Sequence, residues 1–316
     1  MAGQPESPMV VSAVSRRSRA SVRMGRLGPY GALLPTLIII GLFSLYPLGY
    51  AVYLSLHEYV LTNPFGHPFT GLQNVQEVIG EDYFRASLTA TAIYTVMAVP
   101  MIVVVGLLAA LLLNTKLRIA SFLRVVIVLP WAIPSVVAGI LWQWLFSDNY
   151  GVINDLLYTA GVIHHYIPWL SQPNTARLAL AVAQLWKELP FATIFFLAGL
   201  QTIPPGIVDA AVIDGASPFR VFWHIIVPLL RPVALVVLVY ETVLAITTFD
   251  LIFIMTGGGP ANATGVLSWY AYQETFTFLN LGHGAALSFI IAVLMLVLIL
   301  GYLRLLRSED LYTEGT

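Results

Sequence analysis

The sequence is poor in charge: only 10% of its 316 residues are charged, while 58% are hydrophobic. A soluble domain carries about a quarter charged residues, so water is excluded as the principal solvent of this chain. Cysteine is absent altogether, which removes disulfides, thiolate catalysis and cysteine-bound metal while leaving the redox compartment open. Lysine occurs twice, at Lys116 and Lys187, and neither follows a glycine. A phosphate-cradling loop needs Gly, four residues, Gly-Lys and then Ser or Thr, so the chain holds no nucleotide site of that kind. Its formal net charge of -1 gives no basic field for nucleic acid. A nucleophile and base motif is lacking too, which argues against a membrane-embedded enzyme.

What the chain has instead is long apolar runs, several exceeding the roughly 20 residues that carry a helix across a bilayer. Inside lipid a helix satisfies its own backbone groups, and a transmembrane barrel would require alternating rather than continuous apolarity. Six spans are predicted, at 30–56, 86–113, 121–146, 175–200, 232–256 and 285–306. Residues 1–28 carry Arg16, Arg17, Arg19, Arg23 and Arg26 without apolar periodicity and are expected to form a disordered basic tail. A cleavable signal peptide is the rival reading, but the first apolar run is too long for a signal core.

Basic residues near span ends concentrate on the cytoplasmic side. An N-terminus placed inside puts those five arginines with Lys116, Arg118, Arg124, Arg220, Arg231, Arg304 and Arg307 in the cytoplasm. Only Arg85 and Arg177 then fall outside, with Lys187 inside a span. Both termini and the 201–231 segment are therefore expected to be cytoplasmic.

That segment has helical signals of its own. Pro204 and Pro205 suit a first turn, and Ile207, Val208, Ala211 and Val212 give an apolar stripe that Gly215 can stop. Ser217 and Pro218 read as a new N-cap and first residue, and Pro228 is expected to close the unit. Two short helices joined by a sharp corner are predicted. An amphipathic helix lying on the membrane surface is the bland alternative, but it would not require the Gly and Pro positions.

Here the chain resembles the permease subunits of binding-protein-dependent importers of the ATP-binding-cassette class. Their signature is Glu-Ala-Ala, three residues, Gly, nine residues, Ile, one residue, Leu-Pro. This chain has Asp209, Ala210, Ala211, then Gly215 after Asp214, Ile225, Val227 and Pro228 at the same spacings. It departs only in Asp209 for Glu and Val227 for Leu. Phe69, Gly71, Leu72 and Asn74 resemble a motif of the carbohydrate branch, which includes the maltose and glycerol phosphate permeases. So do Trp186, Lys187, Pro190 and Phe191, and Phe249, Asp250, Thr256, Gly258, Gly259 and Pro260, followed by Tyr270 and Tyr272.

The resemblance implies an all-α, six-span type I importer permease: a membrane domain over 29–306, a coupling loop at 201–231 and a short cytoplasmic tail at 307–316. It assigns Asp209, Ala210, Ala211, Asp214, Gly215, Ile225 and Pro228 to coupling with an ATPase. It implies no cofactor in this chain, with ATP and Mg on the partner. The implied partners are a second permease, by the pattern of this branch a homologous different chain, two ATPase subunits and an extracellular solute-binding protein, and the implied location of this chain is the inner membrane of a prokaryote. The sugar contacts of maltose-type permeases fall here on Gln184, Glu188, Phe191, Glu241, Leu244, Ala245 and Thr248.

Read from the residues alone, Gln184, Glu188 and Phe191 share a helix face, as do Glu241, Ala245 and Thr248. Ionisable groups within spans are costly and face a cavity or a partner. The competing reading pairs Glu188 with Lys187 or with another subunit, makes Glu241 a buried link, and gives Lys187 and Asp250 structural roles near the outer face. Trp131, Trp142 and Trp144 read as packing or belt residues. His164 and His165 lack a third ligand for a metal. The rival functions are import of a polyol or glycerol phosphate, and ion-coupled secondary transport through Glu188 and Glu241.

Overall fold

A computed structural model describes residues 28–63, 66–115 and 120–306. The tails expected at 1–28 and 307–316 lie outside the described residues, apart from Gly28, as do Lys116 and Arg118. The chain divides into two units, Met1–Tyr50 and Ala51–Thr316. In the first, α1 (Gly28–Ile40) passes through one wide π turn at Gly41–Leu45 into the first half of α2 (Tyr46–Ser55), which the boundary divides, and Leu37, Ile39, Leu42 and Phe43 are exposed, a surface suited to lipid.

The second unit holds α3 (Gln73–Gly80), α4 (Asp82–Leu113), α5 (Ala120–Ala132), α6 (Ser135–Leu145), α7 (Val152–Thr159), α8 (Pro173–Thr202), α9 (Pro205–Ile213), α10 (Pro218–Val221), α11 (Val227–Thr247), α12 (Asp250–Met255), α13 (Leu267–Tyr272) and α14 (Leu281–Leu306). Among the described residues five helices are long and apolar enough to cross a membrane, and six spans result if the bent pair α5 and α6 counts as one. The expected number of crossings is met on that count, but two are built differently from expectation.

The third span is not one helix. Its halves α5 and α6 meet at 102°, because Pro134 has no N–H to continue the ladder and disfavours the helical region at Ile133. The fifth span, expected to run to residue 256, stops at Thr247: Thr248 turns out with ψ 131 and Phe249 with φ -134 before α12 begins. The Ser268 hydroxyl donates to the Thr248 carbonyl there, replacing a helical bond by a tertiary one. At its other end the same span begins early. Pro228 closes nothing: α10 continues through a wide π turn at Phe222–Ile226 into α11, so Pro218–Thr247 forms one 30-residue span. A proline cannot donate to the carbonyl four residues back, and the wide turn just before it absorbs that loss.

Helices α4 and α8 are the most extensively packed pair and run parallel, since Tyr94 clusters with Ala179 and Ala183 while Ala110 clusters with Phe196 and Leu200. Small residues set this approach. A Cβ added to Gly106 would lie 2.6 Å from the Ala192 Cβ, one on Gly139 3.0 Å from the Ile254 Cβ, and one on Gly199 2.8 Å from Val233.

At the end where α4 begins, polar side chains fasten the connections. Asn74 donates to the carbonyls of Ser55 and His57, both at 2.8 Å, and Tyr270 donates to Glu81. The Leu267 N–H donates to the Thr91 hydroxyl at 2.9 Å. His283 lies between Glu77 at 3.1 Å and Glu274 at 3.3 Å. A hydrogen bond from Gln73, then one from His283, holds the Glu77 carboxyl below its usual range.

Gly106→Leu should force α4 from α8 and destabilise the protein by about 1–3 kcal/mol, whereas Gly301→Ala, where an added Cβ meets open space, should change little. Thermal unfolding of the two detergent-purified variants checks this; equal midpoints would refute the close-approach role.

Candidate functional site

The two breaks converge on one cavity of about 190 Å³. Ser135 enters it from the start of α6; Gln184, Lys187 and Glu188 from α8; Leu244 and Thr247 from α11. Thr248 and Phe249 line it from the second break, and Asp250 and Leu251 from the start of α12. The half-helices beyond the breaks pack together, α6 against α12, with Gly139 under Ile254.

Of the seven side chains expected at a solute site, Gln184, Glu188, Leu244 and Thr248 line this cavity. Three do not. Phe191 stacks on Tyr240 with ring centroids 3.7 Å apart and touches Phe195 and Trp131, so it belongs to an aromatic cluster. Glu241 and Ala245 are both 0% exposed, and Ala245 lies in the core with Tyr94 and Leu180. The cavity stripe of α11 is Leu244, Thr247 and Thr248, turned from the Glu241 and Ala245 face. Sequence reasoning missed Ser135, Thr247, Phe249 and Leu251 and left Lys187 and Asp250 to structural roles; Pro134 carried the one available signal, for the break that brings Ser135 in.

The competing reading's ion pair between Glu188 and Lys187 is not made. Lys187 Nζ donates instead to the carbonyls of Pro130, at 3.3 Å, and Ile133. Among the described residues no cation pairs with Glu188 or Glu241. One oxygen of Glu188 and both of Glu241 are buried without a hydrogen-bond partner. Burial without a partner is costly, so this pair is held at the expense of stability. No His, Cys, Asp or Glu group among the described residues could hold a metal.

At the far end of α4 and α8, α9 and α10 form an exposed elbow. Its corner is Gly215 at φ +81, a left-handed conformation that a side chain would strain. Gly215 N–H donates to Val212 and Ala216 N–H to Ala211, closing α9, and the Ser217 hydroxyl accepts from Arg220 N–H to open α10. Asp209, Ala210 and Asp214 are exposed, whereas Ala211, Ile225 and Pro228 are half-buried. Ile213, Phe219 and Trp223 present an apolar surface, Ile213 at 85% exposure. Asp209 also lines a second cavity of about 260 Å³ with Asn114, Leu200 and Ile226.

A bundle of membrane-crossing helices, interrupted at an internal polar cavity and bearing an exposed elbow, defines the membrane subunit of a transport system. The chain belongs to the family of binding-protein-dependent transport system inner membrane components, the permease subunits of ATP-binding-cassette importers, whose model matches residues 102–308. Among curated relatives it is 36% identical to the sulfoquinovosyl glycerol transport system permease SmoG of Agrobacterium fabrum, covering 88% of this chain and 90% of that one. It is 36% identical to the trehalose/maltose transport system permease MalF of Thermococcus litoralis, covering 92% and 97%. To the sn-glycerol-3-phosphate permease UgpA of Yersinia pestis it is 34% identical, covering 90% and 95%. Its fold matches a chain of a bacterial ABC transporter that imports the acidic polysaccharide alginate, with a TM-score of 0.76 at 23% identity, covering 90% and 96%. It likewise matches a chain of a bacterial alginate ABC transporter in complex with alginate pentasaccharide-bound periplasmic protein, with a TM-score of 0.75 at 23% identity, covering 92% and 97%.

Since neither Glu241 oxygen has a partner, Glu241→Leu should stabilise the protein by about 1–3 kcal/mol. A lower unfolding midpoint for that variant in the purified importer would show that the carboxylate has a stabilising partner there.

Proposed function

We propose that this chain is the membrane-spanning subunit through which an ATP-driven importer takes up an uncharged sugar released by an extracellular binding protein. The observation that carries the reading is the cavity at the two helix breaks, with its hydroxyl, amide and carboxyl groups beside Phe249. Sugar hydroxyls take such polar partners, and a sugar ring suits an aromatic face. The cavity is smaller than the roughly 300 Å³ at which ligand pockets begin, which favours a second permease, a homologous chain, as its other wall. Two ATPase subunits bearing ATP and Mg would engage the elbow through Asp209, Ala210, Ala211, Asp214 and Gly215, with Ile225 and Pro228 bracing its second arm. The basic residues support an orientation with both termini and this elbow in the cytoplasm of a prokaryotic cell.

The relatives named above divide between neutral cargo, trehalose and maltose, and anionic cargo such as glycerol 3-phosphate. An anion is best held by a free guanidinium or ammonium clamp. Among the described residues the one cation lining the cavity is Lys187, and two of its three donors are committed to backbone carbonyls. This favours an uncharged sugar over glycerol phosphate, with an uncharged polyol as the second reading. Membership of the binding-protein-dependent family removes the ion-coupled carrier from consideration.

In the importer reconstituted with its partners, Gly215→Val and Ala211→Trp should reduce solute-stimulated ATP hydrolysis by at least roughly tenfold, as expected when a 1 Å misplacement propagates to a reacting site. Undiminished stimulation in both variants, with the complex intact by size-exclusion chromatography, would reject the coupling role. Uptake measured in parallel with trehalose and glycerol 3-phosphate tests the cargo: transport of the phosphate alone would reject the uncharged-sugar reading.

A further inference from the structure

We propose that Lys187 is a positioning residue that replaces the backbone donor lost at Pro134, and so fixes the angle between the halves of the third span. In an uninterrupted helix the Pro130 carbonyl would accept from the N–H of residue 134. That residue is proline and has none. Ile133 N–H reaches back to the Pro130 carbonyl at 3.2 Å in a tighter turn, and Lys187 Nζ supplies a second donor to the same oxygen at 3.3 Å. The Ile133 carbonyl, which the 102° bend deprives of its onward partner, also accepts from Lys187. At membrane depth an unpaired carbonyl is expensive, so whatever supplies the donor holds the bend.

The donor comes from 54 residues along the chain, on a helix whose position is set independently by packing against α4. Lys187 is 8% exposed, and among the described residues its hydrogen bonds go to these two carbonyls. Glu188, next to it in sequence, makes no ion pair with it among the described residues, so the ammonium group is directed to the two carbonyls rather than to the carboxylate. Lys187 and Ser135 both line the central cavity. The side chain that pins the bend therefore also fixes where the first residue of α6 stands in the cavity wall. The geometric claim is independent of cargo, and only its transport consequence rests on the proposed function.

The absence of native cysteine makes the test direct. Val126→Cys on α5 and Leu141→Cys on α6, each 40% exposed, are spin-labelled in the full-length chain, purified with co-expressed partner subunits whose cysteines have been replaced. The parent should give one narrow inter-label distance. Lys187→Met should displace it by about 5 Å, one turn's rise, while Lys187→Arg, which keeps donors on a long stem, should leave it in place. Where Lys187→Met does not assemble, Lys187→Gln, too short to reach both carbonyls, should show the displacement instead. An unmoved distance in the neutral variant that assembles would overturn the proposal, whatever uptake does. A displaced distance with a roughly tenfold loss of trehalose uptake, the scale of one lost charge-assisted hydrogen bond, supports both the pin and the transport reading. A displaced distance with normal uptake supports the pin and counts against the cavity as the solute path.

Discussion

A membrane interior offers no water to take up a stray backbone carbonyl or N–H, and the two interruptions at the centre of this protein exist only because other side chains supply what they lose. At the third span the substitute is Lys187, donating to Pro130 and Ile133. At the fifth it is the Ser268 hydroxyl, donating to Thr248. Because the two repaired breaks stand side by side, the space between the helix ends becomes a polar cavity rather than packed hydrocarbon. Irregular backbone at membrane depth is tolerated where it is buried in protein or lines such a cavity.

The carboxylates obey the same economy differently. Glu188 reaches the cavity, and Glu241 does not, yet neither makes an ion pair among the described residues. Lys187, which lines the cavity beside Glu188, directs its hydrogen bonds to backbone carbonyls. A buried acid kept without a partner costs stability, and natural sequences retain such costs where function uses them.

Mechanical continuity is the other consequence of the fold. The second arm of the elbow is not a separate surface helix, because α10 runs through a π turn into α11 and on to the Thr248 break. One 30-residue rod thus has the exposed corner at Gly215 next to one end and the cavity at the other. The elbow and the cavity wall are joined without an intervening loop. Rigid elements with discrete arrangements are what carry coupling between distant sites.

The sequence by itself determined the solvent, the approximate limits of the spans and the elbow, since each depends on local composition: apolar runs for the crossings, Pro-Gly-Pro punctuation for the corner. Of the side chains the resemblance assigns to solute, Gln184, Glu188, Leu244 and Thr248 line the cavity, while Phe191 stacks on Tyr240 and Glu241 and Ala245 are fully buried outside its lining, a difference that spacing along a helix does not show. Hydropathy sums over a window and passes over a two-residue interruption, so the breaks at Ile133–Pro134 and Thr248–Phe249 left the expected spans unbroken. Whether a chain breaks at such points or merely bends is settled by the donor that arrives from elsewhere. Lys187 lies 54 residues from the carbonyl of Ile133 and Ser268 lies 20 from that of Thr248, distances that only the packed bundle closes.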